Sequence, residues 1–111
     1  MRYLMLVCRD SEPAVEGADP VGAEVEKWVA AMDARGVRIT GAPLAPEERA
    51  AVVRVRGEKV KVGEGAILKT EGALLGFDLL ECRDLNEAIE VASAHPLARR
   101  CVLEIRPVNT D

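Results

Sequence analysis

The segment from Gly76 to Val108, GFDLLECRDLNEAIEVASAHPLARRCVLEIRPV, constrains the fold more than any other part of the chain. It reads as strand, capped helix, His-Pro stop and second strand. Leu74 to Cys82 is an apolar run of strand length. Asp84 stands where a helix N-cap belongs and Glu87 follows at capping-box spacing, with Asp as the capping residue. Leu85, Ala88, Ile89 and Ala92 recur at helical spacing and form the expected buried stripe. Pro96 stops the helix. From Cys101 to Pro107 the residues alternate, Leu103 and Ile105 to one side, Glu104 and Arg106 to the other. The only histidine of the chain, His95, falls where this helix meets the sheet.

The first half repeats the theme. Tyr3 to Cys8 is continuously apolar, as in a strand covered on both faces. Asp10 to Asp19 reads as a loop. Asp19-Pro20 is a carboxylate N-cap followed by proline at the first helical position. Val21, Val25, Trp28, Val29 and Met32 then share one helix face, and Gly36 ends the helix. Val37 to Thr40 is a short strand, and Gly41 to Glu48 a proline-containing connection. Ala51 to Arg56 and Lys59 to Val62 alternate apolar and charged residues around Gly57-Glu58, which predicts a hairpin with one wet face. Gly63 to Gly72 reads as a loop.

The order is β-α-β, an inserted hairpin, then β-α-β, in one domain spanning residues 1–111. Two helices on one face of an antiparallel sheet give an α+β, ferredoxin-like fold. The core must be built from aliphatic residues, because only 3% of the chain is aromatic against 49% apolar. A core this small gains from dimerisation, and the sheet face without helices is the surface a second copy would cover, in a dimeric α/β-barrel type of assembly.

The formal charge of −4 argues against a duplex-binding protein. Its basic residues, among them Arg54, Arg56, Lys59, Lys61, Arg99, Arg100 and Arg106, are spread along the sequence and interleaved with acids. No apolar run reaches the ~18 residues of a membrane span. The start, MRYLMLVCRDSEP, reads as a strand and carries no small-residue cleavage site, so the expectation is a cytoplasmic protein without membrane attachment. Cys8, Cys82 and Cys101 have neither even count nor paired spacing. They are expected as buried small hydrophobes, with no disulfide framework, metal site or cofactor.

The stretches MRYLMLV, GAPLAPEERAAVVRVRGEKVKV, LLGFDLLECRDLNEAIEVASAHP and LEIRPV, in this order, resemble the YCII-related family and within it the DGPF subgroup. The resemblance covers nearly the whole chain. It implies a dimeric ferredoxin-like domain with sheets facing one another, and a His–Asp pair in a cleft in some members. In related members it implies dehydrochlorination of chlorinated hydroquinones. Transcription-related partners are linked to the subgroup. Its signature loop, V-T-D-G-P-F-A-E-T-K-E-Q-L-G-G-Y, is altered here. Val62 to Phe77 reads VGEGAILKTEGALLGF, retaining Gly65, Thr70, Leu74 and Gly76. Glu64 replaces the loop Asp, and Lys69 and Glu71 exchange charges about Thr70.

Six residues are candidates for a site. His95 can exchange protons near neutral pH; its plainer role is to end a helix by bonding a carbonyl of the last turn. Glu64 would act as a base or hold His95 in one tautomer, or else is a solvent-facing turn residue. Asp78 interrupts an apolar strand. Turned inward it needs a partner, for which Arg2 or Arg106 on neighbouring strands are the expectation. Thr70, Glu104 and Arg106 are candidate ligand contacts, the last two otherwise forming a cross-strand surface ion pair. Three functions follow. The leading one is a homodimer binding a small polar ligand in a cleft near His95. The second is an enzyme of proton-transfer or elimination type on a small substrate, aromatic ones included, and the third a regulatory protein-interaction module.

Overall fold

Alternation in the first strand decides the layering. The structure is a computed structural model that describes residues 1–10, 22–67 and 73–109. In β1 (Arg2–Arg9), Tyr3, Met5 and Val7 are buried while Leu4 and Leu6 are half-buried. The odd positions meet α1 (Gly22–Ala34) and α2 (Leu85–Ser93), and the even ones lie on a face without helices. The remaining strands are β2 (Arg38–Pro43), β3 (Ala51–Arg56), β4 (Lys59–Glu64), β5 (Leu74–Glu81) and β6 (Cys101–Pro107). The main sheet has the order β2-β5-β1-β6 with every neighbour antiparallel, which is the α+β, ferredoxin-like arrangement. The expected helix start at Asp19-Pro20 lies outside the described residues. Among the described residues no helix is long and apolar enough to cross a membrane.

The core joins Tyr3, Met5 and Leu80 of the sheet to Trp28 and Met32 of α1 and Ala88 and Val91 of α2. The Trp28 indole donates to the Val91 carbonyl at 3.0 Å, so the one polar atom of this large ring is satisfied while it bridges the helices. Asp84 caps α2 by accepting from the Glu87 N–H at 2.9 Å, and the Glu87 carboxylate accepts from the Arg83 N–H. Such a cap is worth about 1 kcal/mol. The buried stripe of α2 differs from the sequence expectation. Ala88, Val91 and Ala92 are buried, whereas Leu85 and Ile89 are 46% and 47% exposed. The small Ala88 and Ala92 let the helix approach closely on the Val91 side, which leaves the larger residues outside. Cys8 and Cys82 are buried and Cys101 half-buried, all as free thiols. Burial pushes the Cys82 and Cys101 thiols up, away from the reactive thiolate.

β3 and β4 form a separate two-stranded ribbon, closed by Gly57 at φ +64°, a conformation glycine adopts without strain. β4 runs on through Glu64, two residues beyond the expected strand. Here the alternation has a consequence that linear reading missed. Arg54 faces Lys61 and Arg56 faces Lys59, so cations interleaved in sequence are gathered on one face of the ribbon. Val53, Val55, Val60 and Val62 occupy the other face and are 56–69% exposed.

Candidate ligand-binding cleft

A cleft of 190 Å³ opens between α1, β2, β5 and the turn that follows α2. Its walls are mostly aliphatic, from Val7, Val25, Val29, Leu75 and Leu97, and its polar groups are Arg38, Asp78 and His95. Asp78 is on β5 with the parity of Gly76 and Leu80, and therefore points toward the helices among buried neighbours. Inward, a carboxylate needs a partner, and the structure corrects both which one and where. Neither Arg2 nor Arg106 reaches it. The Arg38 Nε donates to Asp78 Oδ1 at 2.7 Å. The two side chains are 16% and 10% exposed.

A bulge in β2 makes this pairing. Arg38 lies opposite Leu80 and Gly41 opposite Asp78, so three steps on β2 span two on β5. The extra residue turns both Arg38 and Gly41 to the helix side. Arg38 then folds back on its own strand, donating to the Gly41 carbonyl at 3.0 Å and to Asp33 Oδ1 at 3.4 Å. Gly41 supplies the room. A Cβ there would overlap the Asp78 carboxylate and sit 2.6 Å from the Phe77 carbonyl oxygen. Burial pushes the Asp78 carboxyl up, and Arg38 offsets that only in part. Donating to the Asp78 carboxylate in turn holds the Arg38 guanidinium more firmly protonated.

His95 is 3% exposed and lies beyond the end of α2, as the N-cap of a short 3₁₀ turn at Pro96–Arg99. The expected bond to a carbonyl of the last helical turn is replaced by the opposite polarity. Its Nδ1 accepts from the Leu97 N–H at 3.0 Å. The ring is therefore neutral with its proton on Nε2, which has no hydrogen-bond partner among the described residues. The imidazole packs on Trp28 with ring centroids 4.5 Å apart, and burial pushes its pKa down. His95 and Asp78 line one cleft without bonding to each other.

The other sequence candidates are elsewhere. Glu64 ends β4 on the ribbon, exposed, and is not among the cleft-lining residues. Thr70 lies outside the described residues. Glu104 and Arg106 are on the open face of the sheet, joined to each other at 2.7 Å within β6 and not across strands. Arg38 is the polar residue that sequence reading missed. Its only signal was a charge inside the short apolar strand pattern after Gly36, and the bulge that aims it is not visible in residue types. Among the described residues no cluster of metal-ligating side chains occurs.

The helix pair over a β2-β5-β1-β6 antiparallel sheet defines a ferredoxin-like domain. The model of the YCII-related domain matches residues 1–110, and the chain belongs to that family. No curated protein matches it. Among solved structures it is similar to 5-chloro-2-hydroxyhydroquinone dehydrochlorinase (TftG) from Burkholderia phenoliruptrix in complex with 2,5-dihydroxybenzoquinone. The likeness has a TM-score of 0.54 and covers 100% of this chain and 96% of that one, at 10% identity, which is a likeness of fold.

Proposed function

We propose that this chain binds a small polar ligand of single-ring size in the cleft beside His95. The observation that carries this reading is the Nε2–H of His95, without a hydrogen-bond partner among the described residues and oriented by the bond to Nδ1, in an aliphatic cleft that also contains Asp78. Few fixed polar groups in apolar walls are the usual make-up of a small-molecule site. Arg38 uses three of its five donors on Asp78, Gly41 and Asp33, and the His95 donor and an Asp78 oxygen are the further groups offered to a ligand. A molecule with a hydroxyl and a carbonyl, or two hydroxyls, would satisfy both.

The protein would act as a homodimer through the open sheet face, where Leu4, Leu6, Phe77 and Leu79 are half-buried in one copy. Glu104 and Arg106 would then border that interface.

Trp28 is the only tryptophan and touches His95, so its fluorescence reports on the cleft. Titration with hydroquinone and with 2,5-dihydroxybenzoquinone, the ligand of TftG, is expected to change that emission with saturation. His95→Asn should weaken binding about tenfold, the worth of one hydrogen bond to an uncharged group. Equal binding by the variant, or no saturable change with either compound, overturns the proposal.

One observation favours the enzyme reading as a second possibility. Burial moves both His95 and Asp78 toward their neutral forms within one cleft, a pattern typical of acid–base sites. Proton transfer would run through His95 Nε2, with Asp78 orienting the substrate hydroxyl. Turnover lost in both His95→Asn and Asp78→Asn, with folding retained, would support it.

A further inference from the structure

The β3–β4 ribbon is the one part of the described structure that the fold does not account for. Among the described residues its substantial contacts are those between its own two strands. Isolated two-stranded ribbons are marginal in water, and like charges placed opposite one another weaken them further. This ribbon has both faults. Arg54–Lys61 and Arg56–Lys59 face each other, and none of the four joins an ion pair among the described residues. On the other face the valine pairs Val53–Val62 and Val55–Val60 stand in water.

We infer that the valine face of the ribbon is an interaction surface for a second copy of this chain, which it clasps on the open face of that copy's main sheet. The inference rests on the homodimer proposed above and assigns the ribbon a part in it. Two arguments select this partner. The first is shape and chemistry. A flat aliphatic face two strands wide needs a flat aliphatic counterpart, and the open face offers Leu4, Leu6, Phe77 and Leu79. A twofold axis pairs each ribbon with the other copy's sheet and uses both uncovered surfaces twice. The ribbon alone is too small for a stable interface of about 800 Å² per partner, and the sheet face supplies the missing area.

The second argument is charge. Residues 51–64 hold four of the fifteen basic and two of the nineteen acidic side chains, which leaves the rest of the chain at −6. A cationic arm on an anionic body is drawn to another copy's body. The same −6 repels a nucleic acid or another polyanion, and such a partner would leave the valines wet.

Hydrogen exchange of the full chain, at concentrations above and below dimer dissociation, tests this. Ribbon amides should slow at least about tenfold in the dimer, along with amides of the main sheet. Val53→Lys together with Val62→Lys should bring the solution mass to that of a single 12.0 kDa chain while Trp28 emission stays native. A dimer whose ribbon exchanges as fast as in the monomer overturns the clasp and spares the dimer. A monomer at every concentration overturns both. Slowing of the ribbon by added heparin and not by concentration replaces the second copy with a polyanion.

Discussion

The cleft and the ribbon treat the same residue types in opposite ways. In the cleft one arginine and one aspartate are held among valines and leucines, paired at 2.7 Å and shielded from water. On the ribbon four cations and four valines lie on opposite faces; among the described residues none of the cations joins an ion pair, and the valines are exposed. Charge is expensive where it is buried and nearly free where it is wet, and exposed apolar area carries the reverse cost. The cleft pairs its buried charges internally. The ribbon leaves its cations and valines exposed, and the clasp proposed above would cover the valines.

The largest effect should come from breaking the buried pair. Arg38→Met leaves the Asp78 carboxylate without its partner and should cost about 3 kcal/mol in urea unfolding. Adding Asp78→Leu should recover most of that loss, since the remaining cavity is apolar; no recovery would mean that the pair holds the bulge of β2 and not only a charge. Gly41→Ala should cost about 1–3 kcal/mol, because the added methyl meets the Phe77 carbonyl, which is backbone and moves little. A calorimetric melting temperature within error of wild type would show that β2 adjusts freely.

A smaller effect is expected from pH. His95 has a folded pKa below its ordinary value of 6.5, so the unfolded chain binds a proton more readily. Its contribution to stability is present above 6.5 and is lost as pH falls through the folded pKa. His95→Asn keeps a side-chain acceptor at the cap of the 3₁₀ turn and removes the titration. Its unfolding free energy should therefore change less than that of wild type on acidification below neutrality. An unchanged slope would assign the pH dependence to other groups.

The smallest effect belongs to the ribbon. Arg54→Glu places a carboxylate opposite Lys61 and should stabilise the hairpin by a few tenths of a kcal/mol, roughly the worth of an exposed cross-strand pair. Exchange rates of the amides from residue 51 to 64 measure it. A loss of stability would mean that the cationic face already meets an anionic surface.

Much of this was legible in residue order. The continuous apolar run of Tyr3 to Cys8, the Asp84 cap and the His-Pro stop fixed where strands and helices begin and end, because apolar runs and caps are local properties. His95 and Asp78 stood out for the same reason, each a polar residue in an apolar pattern. The choice of Arg38 as partner was not legible. It depends on a bulge that adds one residue to β2 and on the absence of a Cβ at Gly41, both far in sequence from the Asp78 of β5 that they serve.

The sequence by itself determined the main elements, the ferredoxin-like order and two of the polar residues that line the cleft, His95 and Asp78. Period and capping act over a few residues and need no distant partner. Only the tertiary structure decided which of those residues meet. It joined Arg38 to Asp78, turned the Nδ1 of His95 to Leu97, and kept Glu64 on the ribbon away from the cleft lining. Strand register and helix approach are set by packing across the whole sheet, and a shift of one residue would have sent Arg38 or Asp78 to the other face.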